Sequence, residues 1–391
     1  MIVPAGRTLV AASFSVLALC ARASGMDDND GTSANDTGPR AARYALFQEE
    51  LHALQLSLHL DTEAVSNLDG GLRSGTATDT VIHAAAALDT ARLGLWNGGR
   101  LAASAIRIYS GQPSQDYVGD LQGVSNIEAR PATRLYQFWY RQQFPWLGLR
   151  AKAGLIDMNQ DFVATDSAGR LLNASFGLIP SLSGNFPVST YPRPGVGLEA
   201  AIAWRQWHLQ TGLFQSDPAD RASYFKQGHV LVAEAGYDRL DGANWISRYK
   251  LGVWHYESEG GVADLPSNDW GMYWIFEHNI VHHGRRSLDA FLQLGASPKS
   301  VNRVPYYLGA GFLMGAPFTG RPHDLFTAGV ACARIRDASA PAETSYELSY
   351  VASVNRHVSV QPDVQYVTHP SGSREISPAL VATIRLHLEF P

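Results

Sequence analysis

From position 54 onward, apolar and polar residues alternate with a period of two, in runs of about ten residues. Clusters of Gly, Pro, Asn, Asp and Ser separate the runs, which is how strands joined by turns read in a sequence. Strands are expected over 54–65, 82–95, 100–109, 134–144, 147–157, 196–204, 207–214 and 230–237. In the second half they are expected over 247–257, 270–278, 287–297, 306–315, 325–334, 345–354, 358–367 and 376–388. That makes about sixteen, the even number that bacterial outer-membrane barrels require.

Within the cleaner runs the faces separate. Tyr136, Phe138 and Tyr140 alternate with Gln137, Trp139 and Arg141, and Leu149, Ala151, Ala153 and Leu155 alternate with Arg150, Lys152 and Gly154. In the last run, Leu380, Ala382, Ile384, Leu386 and Leu388 alternate with Val381, Thr383, Arg385 and His387. This fits a soluble sandwich with a dry core, and it equally fits a barrel with lipid outside and a wet lumen inside. The connections help to choose. Those at 97–99, 145–146, 205–206 and 355–357 are short, whereas those at 66–81, 110–133, 158–195 and 215–229 are long. A sandwich has no reason to keep its long loops on one side, but a barrel with turns facing one compartment and loops facing another does. Two connections, 279–286 and 316–324, belong on the short side without being short.

The first residues point to export. Arg7 precedes an apolar run, 9–20, that is too short to span a bilayer, and Ala21-Arg22-Ala23 has the small-x-small form of a cleavage site. A signal peptide is therefore expected over 1–23; bulky Leu19 argues against lipid attachment at Cys20. Residues 24–53 read as a mobile polar segment with a short helix over 44–53. With Cys20 removed only Cys332 is left, so no disulfide frames the fold. The chain has 391 residues, 45% hydrophobic and only 17% charged, with a formal net charge of −5. That balance lacks the basic surplus a nucleic-acid partner would need. No later segment is apolar for long enough to form a transmembrane helix, so any membrane crossing must be made by a closed barrel.

Several stretches, taken together, resemble one family. They are LGLWNGG at 93–99, AGLIDMNQDF at 153–162, NASFG at 173–177 and GNFPVSTYPRPGVG at 184–197, followed by YELSYVASVNRHVSVQPDVQYVTHPSG at 346–372. In this order, over most of the chain after residue 54, they resemble the carbohydrate-selective outer-membrane porins of the OprB type. The resemblance implies an all-β transmembrane antiparallel barrel of sixteen strands filling 54–391, passive diffusion of mono- or oligosaccharides, and a pore narrowed by infolded loops. One departure is that Phe390 is followed by Pro391, whereas such barrels usually end on the aromatic residue.

On that resemblance, the longest connection (158–195) is expected to fold into the lumen; its Phe162, Phe176, Phe186 and Tyr191 give it something to pack with. Sugar selectivity calls for aromatic faces against pyranose C–H groups, and for charged or amide groups on the hydroxyls. By alternation Arg107, Trp139, Arg150, Lys152 and Glu199 should face the lumen, joined by Asp161, Phe162 and Asn173 from the loop. Outer-membrane lipid is the expected surroundings, nucleic acid is not a partner, and assembly into a homo-oligomer stays open. No metal or cofactor is expected: His278, His282 and His283 have helical spacing but leave a strand for a turn. The chain has no G-x-S-x-G, H-E-x-x-H or P-loop signature. An exported glycosidase and a non-conducting structural or adhesin barrel are the alternatives, separable by sugar release and by conductance.

Overall fold

The computed structural model describes residues 53–216, 228–241, 244–258, 267–284 and 286–390. The expected signal peptide, the polar segment, nearly all of the 44–53 helix, part of the 215–229 connection and Pro391 lie outside them. The strands are β1 (Leu54–Gly71), β2 (Gly75–Asp89), β3 (Gly99–Ser110), β4 (Ala132–Phe144), β5 (Leu149–Ile156), β6 (Gly195–Trp204), β7 (Trp207–Gln215) and β8 (His229–Asp241). They continue as β9 (Asn244–Glu257), β10 (Asn268–His283), β11 (Arg286–Ala296), β12 (Tyr306–Gly315), β13 (Leu325–Arg334), β14 (Ala342–Asn355), β15 (Val358–Thr368) and β16 (Ser377–Phe390). Each pairs antiparallel with its sequence neighbour, and β1 pairs with β16 from Leu58↔Phe390 to Gly71↔Ser377, so the sheet closes. Closure ends the choice between sandwich and barrel and leaves no free edge.

Three boundaries differ from the sequence expectation, each for a local reason. Residues 66–81 form not a long loop but the ends of β1 and β2, joined at 72–74. Their outward positions are polar because they pair with each other: Ser66 and Thr76 hydroxyls meet at 2.9 Å. Asn67 then ties the turn, its amide Nδ2 lying 2.8, 3.0 and 3.2 Å from the Gly70, Arg73 and Tyr117 carbonyl oxygens. At the other end β2 stops at Asp89 rather than Leu95, because the chain turns at Thr90, whose hydroxyl oxygen lies 2.6 and 3.0 Å from the Trp96 and Gly99 carbonyl oxygens. Finally, β10 runs through His283, leaving only 284–285 between it and β11, so this connection is short after all. The connection 316–324 does remain long.

Alternation along the strands divides wall from exterior. A bulge between Ser104 and Ala105 shifts the β3–β4 register, so Tyr136 turns inward and is 7% exposed, whereas Leu135 and Phe138 face out. Tyr136 had been expected on the apolar exterior. Large side chains such as Leu56, Leu209, Leu251, Leu348 and Ile384 stand exposed on the outside. Near the turn end this exterior carries a band of rings: Trp207 against Tyr237 at 4.8 Å, Tyr237 against Tyr249 at 6.3 Å, and Tyr249 against Phe276 at 5.0 Å. Exposed Trp96, Trp146 and Trp204 lie by the neighbouring turns. An apolar exterior with aromatic rims reverses the soluble pattern, and the densest packing is found inside the barrel instead.

Candidate functional site: the loop-lined lumen

The connections 111–131 and 157–194 both fold back inside the barrel. The second carries Phe162, Val163, Leu171, Phe176, Ile179 and Leu182, all at most 2% exposed, against inward wall residues. Phe162 meets Phe214 edge-on at 5.8 Å, Phe176 meets Phe291 edge-on at 5.8 Å, and Phe186 stacks on Tyr256 at 4.4 Å. Wall glycines make room for it. A Cβ on Gly212 would stand 2.5 Å from the Phe214 ring and 3.0 Å from the Phe162 ring, and one on Gly329 would stand 2.7 Å from both Leu171 and Phe176.

A loop inside a barrel must satisfy its own backbone, since buried N–H groups left unpaired are costly. Here wall carboxylates and amides do so, strand after strand. Glu234 on β8 accepts from Val163 N–H at 3.2 Å, and Lys250 on β9 donates to the Ala164 carbonyl at 2.5 Å. Arg248 on β9 pairs with Asp166 at 2.6 Å, and Glu277 on β10 accepts from Ser167 N–H at 2.7 Å. Gln293 on β11 donates to Thr165 Oγ1 at 2.7 Å and to the Phe176 carbonyl at 3.0 Å. Glu347 on β14 accepts from the Leu172 and Asn173 N–H groups, the latter at 3.0 Å. Gln361 on β15 donates to the Arg170 carbonyl at 2.7 Å. The loop thus follows the wall from β7 round to β15.

The first loop covers the remaining arc. Glu343 accepts from Leu121 and Gln122 N–H at 2.8 and 2.9 Å, and Gln365 donates to the Val124 carbonyl at 2.7 Å. Glu63 accepts from the Ser125 hydroxyl and pairs with Arg385 at 2.7 Å. The two loops also join each other: Asn126 N–H donates to the Leu172 carbonyl at 2.7 Å, and Ala174 N–H to the Gly123 carbonyl at 2.9 Å.

Across β3 to β6 the wall carries charge instead. Arg100, Arg141, Lys152 and Glu199 are successive partners in register, making a row on the inner face. Asp161 arrives on the loop and meets Lys152 at 2.6 Å and Arg150 at 3.3 Å, while Lys152 also lies 3.5 Å from Glu199. Burial raises the Asp161 pKa, but the Lys152 ammonium and Arg150 guanidinium more than offset this and hold the carboxyl below its usual range. Gln210 fixes the same turn by donating to the Asp161 carbonyl at 2.6 Å. Lys152 Nζ lies 5.0 Å over the Trp139 ring and the Arg141 guanidinium 6.0 Å from it, within cation–π reach.

Of the sequence candidates, the structure therefore brings Trp139, Arg150, Lys152, Asp161 and Glu199 together. It separates the other three. Arg107 lies on the outward face of β3, between the buried inward residues Ile106 and Ile108, with its guanidinium 4.6 Å over the Tyr109 ring and its Nη1 donating to Thr133. Phe162 is fully buried under Phe214 and offers no face to a sugar. Asn173 is 1% exposed, donates to Gln365 at 3.2 Å and accepts from Ser175 N–H at 3.1 Å, so it holds the loop. Asp161 does not face the basic wall across an opening but sits on it. Sequence reasoning missed Arg100 as a wall residue and left Arg141 unnominated, although alternation puts Arg141 on the same face as Trp139. The riveting residues Glu234, Glu277, Glu343 and Glu347 gave no signal, because any wet inward position also reads as polar.

Comparisons with known proteins agree on one kind of molecule. The model of the carbohydrate-selective porin family, OprB, matches residues 73–390. Porin B of Pseudomonas aeruginosa is 24% identical, over 84% of this chain and 86% of its own length. The putative porin QuiX of Acinetobacter baylyi is 20% identical, over 88% and 90%. Among solved structures, the high-pH form of Pseudomonas putida OprB superposes with a TM-score of 0.77 at 20% identity, covering 86% of this chain and 94% of that one. An engineered Rhodopseudomonas blastica porin gives 0.50 at 12% identity, covering 86% and 100%.

Proposed function

Because the chain belongs to the carbohydrate-selective porins of the OprB family, we propose that it discriminates among sugars at the inner wall of β3 to β6, where Trp139, Arg141 and Arg150 border the space left by the two infolded loops and Lys152 lies buried beneath Asp161. The protein is a sugar porin of the bacterial outer membrane, a multi-pass β-barrel. The observation that carries the selectivity reading is the contrast within the lumen. Round most of the wall, side chains are engaged by loop backbone, whereas on this arc a half-buried indole sits among cations, and Arg150 keeps 30% of its side chain exposed.

Guanidinium groups donate to hydroxyls, and an indole packs against the apolar face of a pyranose. Asp161 neutralises part of the charge, so the arc attracts polar neutral solutes without trapping anions. Each contact must stay weak, since a tightly held sugar would block the passage. No catalytic step enters this account: wall carboxylates such as Glu234 and Glu347 act as acceptors for the loop. Lipid is the solvent proposed for the exposed leucines and the aromatic band outside.

The test is single-channel current in a planar bilayer with a graded series of neutral sugars. Trp139→Ala and Arg150→Ala should each weaken sugar block about fivefold, on the order of 1 kcal/mol per lost contact. Sugar block unchanged in both variants would remove this arc from selection.

A further inference from the structure

We propose that this barrel binds one divalent transition-metal ion of the zinc or copper type on its inner wall near the turn end, through His59, His387 and Glu389. Barrel closure assembles the three. β1 and β16 pair so that His59 stands opposite Glu389 and Asp61 opposite His387, with all four on the inward face. One donor atom from each of His59, His387 and Glu389 lies within 4.8 Å of the other two, the only such group among the described residues. His387 Nε2 and Glu389 Oε2 are 3.8 Å apart. Donors on a tetrahedral zinc are separated by about 3.3 Å when each bond is about 2.0 Å, so small rotamer adjustments bring them to bonding distance.

Two further observations point to a ligand rather than a structural cluster. His387 is already oriented: its Nδ1 meets Asp61 Oδ1 at 2.7 Å, which leaves Nε2 to face Glu389. A carboxylate holding the far nitrogen of an imidazole is the usual support of a metal-binding histidine. His59, for its part, has a buried Nε2 with no hydrogen-bond partner. Its ring lies 6.1 Å from that of His387 and 6.1 Å from that of His83, whose Nε2 is likewise buried and unpartnered. Two imidazoles and a carboxylate, with a fourth position left for water, suit borderline divalent ions and not calcium or magnesium. Arg170 of the infolded loop acts electrostatically on His387 and Glu389 and opposes a bound cation.

The untagged barrel in detergent, titrated calorimetrically with zinc chloride at neutral pH, tests this. One site per chain is expected. His59→Ala and His387→Ala should each weaken it at least tenfold, Asp61→Asn about tenfold through His387, and Arg170→Gln should tighten it. Heat-modified gel mobility checks that every variant is folded, and His59→Gln, close in size to the native side chain, keeps the test open if an alanine variant does not fold. The double variant His282→Ala/His283→Ala, altered at exposed histidines of the opposite wall, should bind as the parent does. Absence of saturable binding, or equal affinity in folded His59 and His387 variants, would overturn the assignment, as would loss on altering His282 and His283. Sugar uptake is a separate readout, so this proposal and the wall reading fail independently.

Discussion

Asp120, in the loop over 111–131, has both carboxylate oxygens buried. Burial, with Glu343 and Glu128 as like-charged neighbours, pushes its pKa up to about 8, against an ordinary 3.8. Because the folded-state value is the raised one, its contribution to loop stability is full at low pH. That contribution is lost as pH rises and is gone above about 8. Amide exchange across 119–126, corrected for intrinsic chemistry, should therefore quicken progressively from about pH 4 to about pH 8 and level off above that, and Asp120→Asn should flatten the dependence. The same slope in parent and variant would take Asp120 out of the account. Gly212 works at the same scale through space alone. Adding a valine side chain there drives atoms into the Phe214 and Phe162 rings, an overpacking that costs about 1–3 kcal/mol. Gly212→Val should unseat the start of the infolded loop, and single-channel records should show a larger and noisier current.

Strand by strand, period-two alternation was enough to find all sixteen elements, because each must show an apolar side outward and a polar side inward. It failed where that contrast lapses. The outer ends of β1 and β2 carry polar residues on the outward face, where Ser66 and Thr76 bond to each other, so the expected contrast is lost and they read as a loop. The bulge opposite Tyr136 exchanged faces within β4, a shift that leaves no trace in composition. Within the site, the family resemblance, together with length and aromatic content, marked the infolded loop, while Phe162 and Asn173 were named for chemistry and turned out to be its packing and its cap. The histidine cluster was invisible for a topological reason: its halves stand at opposite ends of the sequence, and closure alone joins them. The facing in β5 is directly testable. Ala151→Arg places charge on the outer face and should cost about 2–4 kcal/mol near the bilayer midplane, whereas Arg150→Lys, at a part-exposed position of the inner face, should be nearly neutral for folding. Denaturant midpoints in detergent or lipid would measure this, and equal losses would mean that the register is shifted by one.

At the scale of the whole molecule, a sixteen-stranded barrel left to itself encloses an aqueous channel too wide to tell one small sugar from another. What narrows this one is chain turned inward and fastened to the wall from β7 round to β15 by carboxylates, amides and rings. Barrel and constriction are thus separable: the closed ladder of strands needs no loop to complete it, whereas the loop needs the wall to satisfy its backbone. On the proposed reading, discrimination belongs to the infolded loop and the arc it leaves open, and not to the bore. Liposome swelling with a graded set of neutral sugars tests it most directly, comparing the intact chain with one in which 166–185 is replaced by a short glycine–serine linker. The shortened chain should admit sugars the intact chain excludes, and its rates should fall only gently with size. The same size limit and the same ratios of rates in both would contradict it.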